Sequence, residues 1–262
     1  MSTIHVFARA HHQFFQFILL PGVFFPFLLL VRFLLFTPLE LIWPARKLSY
    51  MRIIGRDLVA FLILRYAMIP GGAYLNSILP GAHHIPIPAV IADLPLSARL
   101  LIYFVLGDLG HYWIHRLTHT RYFWRVHKWH HSPTYMYWLA GMRSTALDIA
   151  MVSLPYILIV RLLDVSPWWT GTAISVAYVL ITDWMHLNIP WRLKWLEWII
   201  VTPRYHHIHH SANPQHFVKN LAPIFSVWDR LFGTYLDPDQ VETNLSFGAG
   251  ENTNPVRLLA GI

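Results

Sequence analysis

The chain contains no cysteine. Disulfides, thiolate zinc sites and cysteine-ligated iron–sulfur clusters are therefore excluded, while the compartment stays undecided. Charge is scarce as well: charged residues fill 13% of the 262 positions, and apolar types fill 55%. A soluble globular domain carries roughly 25% charged residues, so the balance points to an integral membrane protein. Acidic side chains are the scarcer sign, 13 against 20 basic, which leaves a net charge of +7. The basic residues lie in loops beside apolar runs. A positive-inside bias accounts for them, and no nucleic-acid partner is expected. The first apolar run lacks a clear small-residue cleavage site, so it does not read as a signal peptide. No repeat, linker or low-complexity tract divides the chain, and 1–262 reads as one integral membrane domain.

Five stretches approach the roughly 20 apolar residues that a membrane helix needs. They are residues 14–36, 58–79, 96–113, 147–163 and 168–185, the last two joined by a short turn at 164–167. Pro21, Gly22 and Pro26 interrupt the first, which could be re-entrant, and Arg65 weakens the second. The expected fold is all-α, a bundle of four to five transmembrane helices. Basic residues follow the first span (Arg46, Lys47, Arg52, Arg56) and the third (Arg116, Arg121, Arg125, Lys128), and they recur towards the C-terminus; the loop 81–95 has none. This alternation predicts five spans with the N-terminus out, and it puts every histidine cluster on the cytoplasmic side as a helical cap.

Those clusters are the chemical content of the chain. His115 and His119 stand four apart; His127, His130 and His131 form an HxxHH run; His206, His209 and His210 form another; His186 stands alone between them. Residues four apart share a helical face, and neutral imidazole is the commonest protein metal ligand. Each triplet can send two rings to one ion and one to its neighbour. So many ligands are too many for one ion and about right for two. Metal-bound imidazoles need outer partners, and Asp108, Asp183 and Asp229 are candidates, each equally readable as a salt-bridge or capping residue. His111 and His216 read as supporting or structural, and His207 as pointing away. His5, His11, His12, His83 and His84 read as ordinary hydrogen-bonded histidines. Trp129, Tyr135, Tyr137, Trp138, Trp168, Trp169, Trp184, Trp191, Trp195 and Trp198 read mostly as an interfacial aromatic belt. Residues 191–201 read as an amphipathic stretch on the membrane surface with Arg192 and Lys194 towards water. The competing readings are a histidine-rich metal carrier or transporter, which should hold its ionisable groups near the midplane, and a zinc hydrolase, which needs only three protein ligands.

Four segments carry a resemblance: DLGHYWIHRLTHTRYFWRVHKWHHS from Asp108, HLNIP at His186, TPRYHHIHHS, and WDRLFGTY ending at Tyr235. In this order the chain resembles the membrane fatty acid hydroxylase and sterol desaturase superfamily over residues 108–235, the region in which catalysis is expected. The resemblance implies nine ligands: His115, His119, His127, His130, His131, His186, His206, His209 and His210. It leaves His111 outside the first box. Asn220-Leu221-Ala222 stands where many relatives have Asn-Tyr-Gly, which adds Asn220 to the supporting candidates. Arg143-Ser144-Thr145-Ala146 stands where many have Arg-x-His-Pro, and a bacterial, sterol-desaturase-like member is indicated. The implied activity is that of a non-haem di-iron oxygenase with two Fe ions and O2 as co-substrate, with zinc able to occupy the site in purified protein. It would hydroxylate or desaturate a membrane lipid, admitted through an apolar tunnel walled by the third, fourth and fifth spans. The chain has no Glu-x-x-His, the pattern of soluble di-iron bundles. It also has no His-Pro-Gly-Gly haem loop, so electrons are expected from a separate ferredoxin or b-type cytochrome with its reductase. The expected location is a bacterial inner membrane or the endoplasmic reticulum, as a multi-pass protein; the oligomeric state is left open.

Overall fold

The computed structural model describes residues 21–78, 91, 93–163, 169–250 and 254–262. His5, His11, His12, His83, His84, Trp168, the turn 164–167 and most of the loop 81–95 lie outside the described residues. The described residues are helical: α1 Pro21–Ile42, α2 Tyr50–Ser77, α3 Leu96–Thr118, α4 Trp124–His127, α5 Ala146–Leu163, α6 Trp169–His186, α7 Pro203–His209, α8 Val227–Leu231 and α9 Pro255–Ala260. Among them there is no strand, only an isolated bridge between Ser211 and Phe247.

Each apolar stretch of the sequence is a helix, with shifted ends. Pro26 and Pro38 sit inside α1 without ending it. Helix α2 starts eight residues before the apolar stretch because Arg52, Arg56 and Asp57, which dilute its hydropathy, are helical too; one π-turn, Leu64–Met68, interrupts it. Helix α3 runs on beyond Trp113 and carries His115 on its last turn. Among the described residues two helices are long and apolar enough to cross a membrane, Phe24–Ile42 and Tyr50–Ser77, and Ala146–Val160 is a shorter apolar helix. On α1 and α2 large apolar side chains such as Leu30, Leu34, Val59 and Leu62 face outward, as a lipid-facing surface requires.

The inward faces of α1 and α2 carry fully buried polar residues beside the apolar Phe36, Ala60 and Phe61. Arg32 donates two hydrogen bonds to Asp183 on α6, at 2.5 and 2.7 Å. A Glu40 oxygen accepts the backbone N–H of Trp138 and of Asn188, both at 2.8 Å. Asp57 accepts from Tyr137 Oη at 2.8 Å and pairs with Arg143. These bonds clamp the segment around Tyr135–Met142 and the end of α6 against the bundle. Trp129, Tyr135, Tyr137 and Trp138 are buried, which corrects their reading as interfacial aromatics; Tyr135, Tyr137 and Trp138 fill a core beside Leu187 and Ile208. Trp195 and Trp198 do stay exposed. Residues 191–201 form no amphipathic helix but an irregular run with one 3-10 turn, Leu196–Trp198. Arg192 does not face water: Glu197, Asp237 and Asp239 hold it, because the folded-back C-terminal segment offers carboxylates there.

Helix α3 packs along α5, and so does the second half of α2. Small residues allow this, as they do between membrane helices generally. A Cβ on Gly107 would lie 2.3 Å from the Tyr156 ring, and one on Gly110 would lie 2.5 Å from Pro155. Gly107→Ala should therefore push Tyr156 aside and lower stability by about 1–3 kcal/mol, the usual cost of overpacking. Thermal unfolding of the purified protein in detergent checks this; an unchanged midpoint would contradict so close an approach.

Candidate metal centre

The histidines reach one place from five separate elements. His115 lies on the last turn of α3 and His119 caps it. His127 ends α4, and the chain then leaves the helix, so His130 and His131 sit on turns. His186 ends α6, His206 and His209 lie on α7, and His210 caps it. Two groups result. In one, His115, His119, His127, His131 and His209 offer ligand atoms all within 4.8 Å of one another; in the other, His130, His186, His206 and His210 do the same. The second sequence cluster is thus split between the groups, as is the third. The groups adjoin, with the His131 and His210 rings stacked at 4.3 Å. His207 is directed away, its Nδ1 3.1 Å from Arg46. His216 belongs to neither group.

Outer hydrogen bonds fix which nitrogen faces inward for five of the rings. His115 Nδ1–H donates to Leu221 O at 2.7 Å, and His186 Nδ1–H to Thr182 O at 2.6 Å. His209 Nδ1–H donates to Lys219 O at 3.1 Å, and His130 Nδ1–H to Arg143 O at 3.2 Å. His127 Nδ1–H donates to the Asp148 carboxylate at 3.1 Å, and Ser144 Oγ donates to that carboxylate at 2.5 Å. A ring that donates from Nδ1 presents a bare lone pair at Nε2. His115 Nε2 and His127 Nε2 then face each other at 3.1 Å, two lone pairs with nothing to share. His186, His206 and His210 bring three Nε2 atoms within 3.0–3.3 Å. The Nε2 atoms of His119, His131 and His209 are buried and have no hydrogen-bond partner among the described residues. Orphaned buried acceptors cost about 1–3 kcal/mol each. A cation in each group removes that cost, and the donor set fits one: neutral imidazole suits iron, zinc, copper and nickel.

The carboxylates singled out in the sequence do not touch these rings. Asp183 turns to Arg32, and Asp108 accepts from the Phe225 N–H and Trp228 Nε1, both at 2.9 Å. A buried acid takes the nearest strong donor, and those donors lie far away in sequence. Asp229 acts one bond further out: it accepts the backbone N–H of Leu221 and Ala222 at 2.8 Å, while the Leu221 carbonyl holds His115. Asn220 stands between the two carbonyls that hold His209 and His115. Its φ of 52° is left-handed, and its side chain bonds Tyr205 O and both backbone groups of Leu236. His111 lines the wall beside the centre, its ring 6.1 Å from that of His115. The carboxylate that does reach a ligand candidate, Asp148, went unnoticed in the sequence. It is the lone acid in an apolar span, the same signal that drew attention to Asp108. Gly141 was also missed: a Cβ there would lie 2.5 Å from His186 Nδ1, so only glycine leaves room for that ring.

An apolar cavity of about 540 Å³ ends at the histidines. His115, His127, His130, His186 and His206 line its inner end, and side chains such as Leu64, Val152 and Ile157 line the rest. Its wall includes α1 and α2 (Phe25, Leu28, Phe61) as well as the three helices expected from the sequence.

Burial, reinforced by neighbouring histidines, holds His130, His131, His206, His209 and His210 well below the ordinary imidazole value of 6.5. In the metal-free fold these rings stay neutral, whereas the unfolded chain takes up protons below about 6.5. Stability is therefore retained above that pH and lost as pH falls through it, each histidine contributing up to ~1.4 kcal/mol per pH unit. Metal-free protein should lose thermal stability steeply between pH 7.5 and pH 5.5 (about one unit either side of the imidazole value). A flat profile would show that the rings are solvated.

The fatty acid hydroxylase family profile matches residues 100–234, about half of the chain. An alkylglycerol monooxygenase of Danio rerio is 31% identical over 55% of this chain and 32% of its own length. An ornithine lipid hydroxylase of Rhizobium tropici is 31% identical over 55% of this chain and 44% of its own length. A methylsterol monooxygenase of Arabidopsis thaliana is 25% identical over 57% of this chain and 51% of its own length. The matched region thus spans about a third to a half of these relatives. No solved structure matches the chain. The matched segment begins on α3 and ends at Thr234, holds all nine clustered histidines, and makes this chain a member of the fatty acid hydroxylase family.

Proposed function

We propose that this protein is an O2-dependent, non-haem di-iron oxidoreductase that hydroxylates or desaturates a membrane lipid at an unactivated C–H bond. The observation that carries this reading is the convergence of buried, outwardly tethered imidazoles on two adjoining points at the end of an apolar cavity. One iron is held by His115, His119, His127, His131 and His209, the other by His130, His186, His206 and His210. Bound there, two Fe(II) ions would activate O2 by reducing it, with electrons replenished by the donor, and so supply the oxidising power needed at a C–H bond.

The chain's own residues perform the rest. The Nδ1–H bonds to Thr182, Arg143, Lys219, Leu221 and Asp148 keep the proton on the outer nitrogen and the inner nitrogen bare in His186, His130, His209, His115 and His127. The apolar cavity lining takes up a hydrocarbon chain and excludes water from the centre. The matching relatives are named for alkylglycerols, ornithine lipids and methylsterols; this supports a lipid as substrate. In the same reading α1, α2, α3, α5 and α6 span the bilayer as one domain, with residues 108–235 as its catalytic region. The histidine groups lie at the cytoplasmic face of a bacterial inner membrane or the endoplasmic reticulum. The exposed apolar faces of α1 and α2 and the alternation of loop charge support this arrangement. Electrons come from a separate ferredoxin or b-type cytochrome.

Gently purified protein should contain two metals per chain, iron when activity is retained, as measured by elemental analysis. His130→Ala and His209→Ala should each abolish lipid oxidation while leaving the helical content intact; unchanged product yield removes those residues from the site. Asp148→Asn should weaken metal binding about 10–100-fold, the usual effect of losing an outer partner, as read by chelator competition.

A further inference from the structure

The cavity carries a cation that the metal centre does not use. Arg65 lies on the single π-turn of α2, Leu64–Met68, and lines the cavity. It stands fifteen residues from the start of α2 and twelve from its end. At about 1.5 Å per residue that is roughly 22 and 18 Å, too far for its side chain to reach either end. Arg65 is partly buried, whereas the two fully buried arginines among the described residues are matched: Arg32 by Asp183 and Arg143 by Asp57. Arg65 has no carboxylate partner among the described residues. Its Nε is buried without a hydrogen-bond partner, and its guanidinium rests over the Phe25 ring, 3.3 Å from the centroid. A cation within a membrane span is costly and in general marks a binding or transport site, and π-turns inside helices occur most often at functional sites.

Resting on the oxygenase reading for the cavity's purpose, we propose that Arg65 binds the head group of the substrate, and that this group is anionic, a carboxylate or phosphate at the end of a hydrocarbon chain. Guanidinium suits this role because its fixed fork of donors matches either oxyanion in a bidentate pair. Away from the histidines the remaining wall is mostly apolar and accepts the hydrocarbon; its other arginine, Arg32, is already paired with Asp183. A neutral sterol or alkylglycerol would leave the guanidinium without an anionic partner at the cavity wall, which selects against it. The lipid therefore enters with its head group on Arg65 and its chain along the cavity.

Binding of three lipids with the same chain tests this on the full-length protein in detergent, with or without metal: oleate, oleoyl lysophosphatidic acid and oleyl alcohol. At least one anionic lipid should bind about tenfold or more tightly than the alcohol, as expected for a charge-assisted hydrogen-bond pair; which one does so identifies the head group. Arg65→Gln should erase the difference and Arg65→Lys should retain only part of it, because an ammonium keeps the charge and loses the fork. Equal binding of all three lipids by the unaltered protein overturns the proposal, and so does a difference that survives Arg65→Gln. Should Arg65→Gln fail to fold, the unaltered protein and Arg65→Lys still decide. Product analysis with iron-loaded protein separates this from the oxygenase reading. An intact preference without any oxidised lipid supports the head-group site and counts against the oxidation; oxidised neutral lipid with no preference does the reverse.

Discussion

A hydrogen bond from the outer nitrogen of a histidine decides what its inner nitrogen can do. Here Thr182, Arg143, Lys219 and Leu221 offer backbone carbonyls, and Asp148 offers a carboxylate. Each holds one imidazole in a single tautomer and a single orientation. Remove them, and the rings could rotate or bond to one another, and the cluster would become an ordinary polar core. With them, bare nitrogens converge in a buried space where no protein donor satisfies them, and a metal ion is the partner with the right charge and chemistry.

Holding those carbonyls in place is the task of the rest of the fold. Two of them belong to one short strap, residues 219–222, which the left-handed Asn220 bends and Asp229 ties from behind. A third belongs to Arg143, whose side chain pairs with Asp57 on α2. The fourth lies on α6, one residue before the Asp183 that Arg32 binds from α1. The polar faces of the two most apolar helices thus look inward and fix the frame of the centre, while their apolar faces point outward. Buried ion pairs contribute little net stability, but they set register, and a site of this kind depends on register.

Much of this was legible in the sequence, for reasons that differ by level. Helices α1, α2, α3, α5 and α6 show as apolar runs because burial in lipid or in the bundle selects the same side chains. Charges at their ends blurred the boundaries, most clearly at Asp57, which is helical although polar. The clustered histidines show because metal-binding spacing is unusual in an apolar chain. Their partition into two groups was not legible in detail, since the chain leaves the helix after His127 and turns His130 away from His131. Nor were the outer partners. Backbone carbonyls have no side-chain signature, and Asp108 and Asp183 found donors 120 and 151 residues away in the chain. Asp148 alone could have been found by the reasoning applied to the other acids.

The central claim is that imidazole nitrogen alone builds both metal positions. X-ray absorption spectroscopy of iron-loaded protein tests it most directly, because nitrogen from imidazole rings and oxygen from carboxylates leave different scattering patterns. A shell dominated by imidazole, with its characteristic multiple scattering from the outer ring atoms, is the result expected here. A shell dominated by carboxylate oxygen would mean that the converging rings of this fold serve some other purpose.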